Sequence, residues 1–343
     1  MFTLPTHTSR ALSASIAALA LAGSAAYAQA QTAPLAAAAT AAPGQGEASI
    51  QHWLERLHQA SRNRSYIGTF VVSSGSEMAS SKIWHICDGR QQLERIEALT
   101  GAPRITMRRN DEVATFLPEQ QLVLKDRREA LRVFPDLLRA PGQRIELFYR
   151  ARSIGSERVA GLEADVVDFV PKDGLRYGYR IWSERRTGLM VKMQTRNQQA
   201  RVLEQVAFTE LQLDAPVRIE TLTRQFEQTS GLRVLQQVQR QSTAAEQGWR
   251  MRSEVPGFQP MALNLRGPAT AAPTVQWVFS DGLASVSLFI ENFDPLRHTR
   301  EAAVSEGATN TISRRLGAHW VTALGEVPPE TLLLFMQSLE RAR

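Results

Sequence analysis

The chain has 343 residues, 43% of them hydrophobic, and its 40 basic and 34 acidic side chains give a formal net charge of +6. A single cysteine, Cys87, excludes an intrachain disulfide, so the fold depends on its apolar core. A chain of this length is enough for two domains of ordinary size. Its basic residues are dispersed, with pairs as the densest groups, which argues against a nucleic-acid-binding protein.

Residues 1–28 have the pattern of a secretory signal peptide. Arg10 precedes an apolar run from Ala11 to Ala22, and the small-x-small triplet Ala26-Tyr27-Ala28 follows it. The run has about 12 residues, whereas a membrane-spanning helix needs roughly 20. We therefore predict export and cleavage after Ala28, with Ala30 as the alternative site.

Residues 29–47 are mostly Ala, Gln, Thr, Pro and Gly, a composition that predicts a disordered leader. A helix is predicted next, from the N-cap candidate Ser49 to about Ala60. It is supported by apolar residues at helical spacing: Ile50, Trp53, Leu54 and Leu57.

From Tyr66 onward the hydrophobic period changes to two, which predicts strands. The first predicted strands are Ile67–Val72, Lys82–Cys87, Leu93–Ile96, Pro103–Met107, Val113–Phe116 and Gln121–Leu124. Arg128–Leu138 is predicted as a short helix or an ordered loop. A hairpin of Tyr177–Trp182 and Leu189–Gln194 and a strand Val202–Leu213 come later. Regular strands without intervening helices favour a strongly curved antiparallel sheet.

A second domain is predicted to begin near Trp249. Val275–Glu291 has the pattern of a hairpin folded at Asp281-Gly282. Ala318–Val327 is predicted as a strand, and Thr331–Arg341 is predicted as a closing helix. The predicted divisions are a large domain over 48–215, a linker or edge region over 216–247 and a small domain over 248–343.

The sequence shows no nucleophile elbow, phosphate-binding loop or zinc-protease motif. His85 and Cys87 lie two apart on one predicted strand, but two ligands do not make a zinc site. We therefore predict that the protein is not an enzyme and that it holds no metal or cofactor.

An ordered set of short motifs resembles one protein family. The set comprises Tyr66-x-Gly68-Thr69-Phe70-Val71, Met78, His85, Asp88-Gly89, Glu94-Arg95, Gly101-x-Pro103, Arg108, Pro118, Tyr177–Trp182, Thr187–Leu189, Pro256–Phe258, Ser280–Leu283, Gly317-Ala318 and Gly325–Pro328. In this order the motifs resemble the RseB/MucB family, periplasmic negative regulators of the sigma-E (AlgU-type) envelope stress response. The resemblance covers about 48–343 and fails over roughly 216–247.

The resemblance implies an α+β fold. Its large N-terminal domain would be a half-open antiparallel β-barrel like those of LolA and LppX, wrapped around helices. A smaller C-terminal α/β domain would follow.

The resemblance also implies a periplasmic protein that binds the periplasmic part of the anti-sigma factor RseA or MucA. Binding would shield that factor from the site-1 protease of the DegS type. Lipid or lipopolysaccharide would then trigger release and thereby control sigma-E activity. The alternative is a periplasmic lipoprotein or lipid carrier of the LolA type. No nucleic-acid partner is implied, and a homo-oligomer is left open.

Two sets of candidate residues follow from these expectations. The bulky residues proposed for the wall of a lipid cavity are Phe70, Trp84, Phe116, Phe148, Tyr179 and Trp182. The residues proposed for partner contact are Arg180, Ser280, Asp281, Gly282 and Leu283. Ordinary core packing is the competing explanation for the first set, and a hairpin turn is the competing explanation for Asp281-Gly282.

Overall fold

The computed structural model describes residues 43–89, 91–127, 145–236, 239–267 and 272–342. The predicted signal peptide, most of the predicted leader and the segment Arg128–Leu138 lie outside the described residues. In the described part, two antiparallel-rich sheets account for most of the chain, and the helices are few.

Helix α1 (Pro43–Asn63) opens the described chain. It begins six residues before the predicted N-cap Ser49 and includes the end of the predicted leader. Pro43 suits the first position of a helix, because its fixed φ is already helical and its missing N–H has no partner there.

In the part of the chain that the structure describes, the large sheet has twelve strands. They are β1 (Tyr66–Ser74), β2 (Glu77–Cys87), β3 (Gln92–Ala98), β4 (Ile105–Arg109), β5 (Glu112–Leu117), β6 (Leu122–Arg127), β7 (Tyr149–Val159), β8 (Leu162–Pro171), β9 (Gly178–Glu184), β10 (Met190–Arg196), β11 (Val202–Leu213) and β12 (Arg233–Gln236). Their order is β12-β6-β5-β4-β3-β2-β1-β11-β10-β9-β8-β7. All neighbours are antiparallel except β12 and β6, which are parallel. A four-residue helix α2 (Ile145–Phe148) precedes β7.

The two faces of this sheet carry different cores. One face, here called the inner face, carries Phe70, Ile181 and Phe208 and packs against Leu57 of α1. The opposite, outer face carries a second core on β3–β6, covered by helix α3 (Ile219–Glu227). That core contains Leu93, Met107, Ala114, Phe116 and Val123, together with Leu222 and Phe226 of α3. Helix α1 therefore covers part of the inner face, and helix α3 covers the part of the outer face formed by β3–β6.

The remaining described strands are β13 (Gln239–Ser242), β14 (Trp249–Met251), β15 (Gln259–Arg266), β16 (Thr274–Ser280), β17 (Ser285–Asn292), β18 (Ala302–Glu306), β19 (Thr309–Leu316), β20 (His319–Gly325) and β21 (Leu339–Arg341). Seven of these described strands form the small sheet, in the order β13-β15-β16-β17-β20-β19-β18, and β14 pairs with β21. Helix α4 (Pro329–Ser338) packs on its core side through Leu332, Phe335 and Met336. This domain is mostly β, which corrects the expectation of an α/β domain.

The closing helix ends earlier than its apolar pattern predicts. The helix was expected to reach Arg341, but Leu339–Arg341 form β21 and pair with β14. The carbonyl of Ser338 accepts a hydrogen bond of 2.7 Å from the amide of Arg252. Main-chain pairing with a distant strand thus replaces the last turn of the helix.

The interval predicted as a linker or an edge region, 216–247, contains regular structure. Helix α3 and strand β12 belong to the large sheet, and β13 belongs to the small one. β12 and β13 are both edge strands. The change from one sheet to the other falls between Gln236 and Gln239.

The molecule is mostly β, with a large N-terminal and a smaller C-terminal sheet. The half-open barrel of the LolA and LppX type stays a prediction. No helix in the described part of the chain is both long and apolar enough to cross a membrane.

Candidate functional site

The hairpin between β16 and β17 joins the two sheets. Its tip, residues 281–284, is buried, and Leu283 lies in the inner-face core of the large sheet. Oδ1 of Asp281 accepts the amides of Leu283 at 2.9 Å and Ala284 at 2.7 Å, which shapes the turn. The Asp281-Gly282 turn predicted from sequence therefore carries a contact between the domains.

The other carboxylate oxygen of Asp281 faces the large domain. It accepts hydrogen bonds from Nη1 of Arg176 at 2.8 Å and from the hydroxyl of Tyr149 at 3.0 Å. The side chains of Arg176 and Asp281 are both 0% exposed. Burial, together with the nearby Tyr179 and Asp281, raises the pKa of Tyr149 well above its ordinary value, so this hydroxyl stays a donor.

Arg176 also contacts the turn Pro256–Phe258. Its Nη2 donates to the carbonyl of Pro256 at 2.7 Å, and its guanidinium lies 5.1 Å from the ring centroid of Phe258. Gly257 has φ +83°, and a Cβ there would lie 2.7 Å from the ring of Phe148. This motif, one of those that carry the family resemblance, therefore forms part of the domain contact.

Two further hydrogen bonds join the domains near α4. In the first, the side-chain amide of Asn310 donates to the hydroxyl of Tyr177 at 3.0 Å; the same amide donates to the carbonyl of Val327, within the small domain, at 2.8 Å. The hydroxyl of Thr331 donates to the carbonyl of Leu175 at 2.7 Å. Arg176, Tyr149 and Asn310 were not singled out from the sequence, because their partners lie more than a hundred residues away and no local motif marks them.

The six aromatic residues proposed for a lipid cavity do not lie together. Phe70 and Tyr179 are on the inner face, while Trp84 and Phe116 are on the outer face with the α3 core. Trp182 is on the outer face, under Lys192, and Phe148 lies in the domain contact. Their role in lipid binding stays a prediction.

A cleft with a volume of about 590 Å³ lies beside the end of α1. Its lining is mostly polar: Arg56, Gln59, Ala60, Asn63, Arg64, Ser65, Thr187, Asp214 and Ala215. None of the six aromatic residues lines it.

Helix α1 is held on the inner face by two hydrogen bonds to β9 and the loop after it. The indole of Trp53 donates to Oγ of Ser183 at 3.0 Å, and Nη2 of Arg56 donates to the carbonyl of Arg185 at 3.0 Å. The same helix also buries Leu57 and Ala60 in the inner-face core, so α1 is the element whose movement would expose the apolar face.

Arg180, proposed as a partner contact, lies on the outer face in a cluster of charges. Its Nε and Nη2 donate to Asp168 at 2.5 and 2.9 Å, and Arg152 and Arg196 approach the same carboxylate at 3.5 and 3.6 Å. Burial alone would raise the pKa of Asp168, but the hydrogen bonds and charges of the arginines outweigh it and the pKa is lowered. The charge of Glu157 also acts on Arg180, so three guanidiniums stand against two carboxylates and the surface stays basic.

The remaining partner candidates, Ser280, Asp281, Gly282 and Leu283, are buried between the sheets. A partner could contact them after the domains separate. Their role in partner binding therefore stays a prediction.

His85 belongs to a buried polar group on the inner face. Its Nδ1 donates to the carbonyl of Arg64 at 2.7 Å, and its Nε2 accepts from the amide of Gln92 at 2.6 Å. Burial lowers the pKa of His85 to about 4, assisted by the charge of Arg108. A neutral imidazole with both nitrogens engaged is a structural group. Within the described residues, no cluster of three or more potential ligands could hold a metal ion.

Comparisons with known proteins relate both domains to one family. The sequence model of the MucB/RseB N-terminal domain matches residues 49–226, and that of the MucB/RseB C-terminal domain matches residues 243–340. The sigma factor AlgU regulatory protein MucB of Pseudomonas aeruginosa is 31% identical over 298 residues, covering 83% of this chain and 89% of that protein. The sigma-E factor regulatory protein RseB of Haemophilus influenzae is 24% identical, covering 86% and 92%.

Similarity to solved structures points to the same family. The crystal structure of MucB in complex with MucA(peri) matches with a TM-score of 0.64 and 27% identity, covering 85% of this chain and 98% of that one. The structure of the Pseudomonas aeruginosa MucA/MucB complex matches with a TM-score of 0.66, covering 86% and 99%. The resemblance predicted from the motifs is thus confirmed, and the chain belongs to the MucB/RseB family of non-enzymatic sigma-factor regulatory proteins.

Proposed function

We propose that this protein binds the periplasmic segment of an anti-sigma factor of the MucA/RseA type and shields it from site-1 proteolysis of the DegS type. The observation that carries the proposal is the match over almost the whole folded chain to MucB solved in complex with MucA(peri). Both domains of that relative have counterparts here, and buried bonds join them in this chain. The protein would act in the periplasm after cleavage of its signal peptide at Ala28.

Lipid or lipopolysaccharide is proposed as the signal for release. If lipid binds the free protein better than the complex, it must weaken the complex by the same factor. A coupling of ~1–3 kcal/mol corresponds to roughly 5- to 150-fold in affinity. The proposed lipid site is the inner-face core around Phe70 and Tyr179, reached when α1 moves away.

A protease-protection assay tests the proposal. The purified protein is added to the periplasmic segment of the cognate anti-sigma factor, and cleavage by the site-1 protease is followed with and without lipopolysaccharide. Protection that lipopolysaccharide removes is the expected result. The LolA-type carrier, the alternative function, predicts no specific capture of the segment and no protection.

Two variants separate the proposed contacts. Arg180→Ala removes a partly exposed guanidinium of the basic surface and should weaken capture of the segment. Arg158→Ala is the matched control, because Arg158 is 70% exposed and lies on the edge strand β7, two strands away from β9. Equal capture by wild type and both variants would remove Arg180 from the proposed contact surface.

A further inference from the structure

Helix α1 has a second face besides the one that it buries. Leu57 lies in the inner-face core, whereas Arg56, Gln59 and Asn63 follow at i, i+3 and i+7 and so share another side of the helix. These three side chains line the cleft of about 590 Å³, here called the α1 cleft. Its other walls come from the turn after β9 and from the residues after β11. One side of α1 is therefore given to a concave polar surface.

The charges of the α1 cleft do not cancel. Nη1 of Arg64 lies 3.1 and 3.3 Å from the two carboxylate oxygens of Asp214, so these two groups neutralise each other. Arg56 has a neutral partner instead, because its Nη2 donates to the carbonyl of Arg185 at 3.0 Å. Within the described part of the chain Arg56 forms no ion pair, and a guanidinium has five N–H groups to offer. Two guanidiniums and one carboxylate leave the lining with a net charge of +1.

The uncharged part of the lining is polar and small. Gln59 and Asn63 each carry an amide donor and acceptor, and Ser65 and Thr187 carry hydroxyls. Among the described residues, no apolar side chain larger than alanine lines the cleft, so an acyl chain would bury little apolar surface there. Sites for small molecules have volumes of about 300–1,000 Å³. The α1 cleft thus suits a small polar molecule rather than a lipid chain.

The net charge indicates which anion fits. A guanidinium pairs well with either a carboxylate or a phosphate. A carboxylate brings one negative charge, which balances the excess charge of the lining. A phosphate monoester brings nearly two and would be repelled by Asp214. Amide or hydroxyl groups next to the carboxylate would find partners in Gln59 and Asn63.

We propose that the α1 cleft binds a small organic carboxylate that carries amide or hydroxyl groups beside the charge. Arg56 pairs with the carboxylate, and the amides of Gln59 and Asn63 bond to the neighbouring groups. Such a ligand contacts α1, the turn after β9 and the end of β11 at once, so its binding stabilises α1 in its place on the large sheet. This inference stands independently of the proposed anti-sigma function.

Isothermal titration calorimetry at low ionic strength tests the proposal with two probes. N-acetyl-alanyl-alanine presents a carboxylate beside amides, and D-gluconate presents one beside hydroxyls. At least one of them should bind saturably, with a dissociation constant of about 1 mM for a ligand of this size. The tighter probe identifies the source of the carboxylate as a peptide or a sugar acid. N-acetyl-alanyl-alaninamide, which lacks the charge, should bind about tenfold more weakly than its acid.

Three variants test the role of the charges. Arg56→Gln should weaken binding of the tighter probe by about tenfold, because it removes the guanidinium that has no carboxylate partner. Arg62→Gln is the matched control, since Arg62 is an exposed arginine of the same helix outside the cleft lining, and should change binding less than about twofold. Asp214→Asn should strengthen binding by about two- to tenfold, because it frees Arg64 for the anion. Asp214 is 69% exposed, so this variant should fold as wild type does.

Hydrogen exchange measured by mass spectrometry locates the site. Saturation with the tighter probe should slow exchange in peptides that cover residues 56–65, Thr187 and Asp214, and leave β5 and β6 unchanged. Lack of saturable binding by both probes would overturn the proposal. Equal binding by wild type and Arg56→Gln, or equal weakening by Arg56→Gln and Arg62→Gln, would overturn it as well, and so would protection confined to other parts of the chain.

Discussion

Arg176 and Asp281 form a fully buried ion pair between the two sheets, with Nη1 and Oδ2 2.8 Å apart. Arg176 belongs to the segment before β9 and Asp281 to the tip of the β16–β17 hairpin. Each carboxylate oxygen has its own donors: the turn amides on one side, Arg176 and Tyr149 on the other. Arg176 also donates through Nε to Asp173 of its own domain at 2.9 Å, so the buried pair with Asp281 adds a charge contact between the domains to one within the large domain.

Asp281→Asn should lower the free energy of unfolding by about 3 kcal/mol, because it leaves the buried guanidinium of Arg176 without its closest anion. The asparagine keeps the Oδ1 acceptor for the turn amides, so the variant isolates the loss of charge. Urea denaturation at pH 7 measures it. Glu163→Gln is the control, since its pair with Arg158 is 3.8 Å long and more than half exposed, and should cost less than about 1 kcal/mol. Equal costs for the two variants would contradict the coupling.

Gly257→Ala should destabilise the protein more than Gly75→Ala. Both glycines have positive φ, so both substitutions carry backbone strain of about 1–2 kcal/mol. Only at Gly257 does the new Cβ meet the ring of Phe148, whereas nothing lies within 4 Å at Gly75. Repacking should add about 1–3 kcal/mol, measured as a lower denaturation midpoint.

Phe148→Leu supplies the test of that explanation. The double variant with Gly257→Ala should lose less stability than the sum of the two single losses, because the clash needs both partners. Strict additivity would mean that backbone strain alone accounts for the effect.

The sequence predicts the strands of the large sheet well, because their apolar residues alternate. It does not predict β18 or β19, because small and polar residues in these strands obscure the alternation of apolar and polar side chains. The sequence also does not show which face of the sheet a side chain lies on when both faces are buried. Strand β9 is buried on both faces, so its alternation does not separate the surroundings of Tyr179 from those of Trp182. This is why the sequence alone does not show on which face of the sheet each of the six aromatic residues lies.

The contact between the domains could not be predicted from local sequence patterns either. Asp281-Gly282 has a turn pattern that the sequence shows correctly, but its partner Arg176 is 105 residues away. Local patterns predict which residues form a turn. They do not predict which distant surface the turn enters, so the burial of Asp281 against Arg176 could not be foreseen, and the contact of this turn with an external partner stays a prediction.

His85→Gln should flatten the loss of stability on acidification. The pKa of His85 is lowered in the folded state, to about 4 from 6.5, mainly by burial. The unfolded chain therefore takes up a proton first as pH falls, and stability is lost from about pH 6.5 down to pH 4. Between pH 7 and pH 5 this group should account for about 2 kcal/mol.

Urea denaturation at these two pH values measures the difference. His52→Gln, at an exposed position of α1, is the control and should leave the difference as in wild type. A wild-type pH dependence in His85→Gln would show that other groups cause the acid sensitivity.

Glu204 lies at a second contact between the domains, where β11 meets the turn between β18 and β19. Its carboxylate accepts a hydrogen bond from the amide of Ala308, and Ser74 beside it contacts Gly307. Burial, followed by the nearby Glu326 and Glu306, raises the pKa of Glu204, and the Ala308 amide opposes this only in part. The ionised form is therefore less favourable in the folded protein than in the unfolded chain.

Glu204→Gln should accordingly stabilise the protein near neutral pH. A raised carboxyl pKa means that the folded state holds its proton more tightly, so stability is fully present below the unfolded pKa and falls as pH rises through the folded value. Glutamine keeps the acceptor for Ala308 and removes the charge, so its advantage should be present at pH 7 to 8 and disappear below about pH 4.5. Denaturation curves at pH 4 and pH 7.5 measure this, with Glu163→Gln as the exposed control. A Glu204→Gln protein less stable than wild type at pH 7.5 would show that the ionised carboxylate favours the contact, opposite to the sign argued from its surroundings.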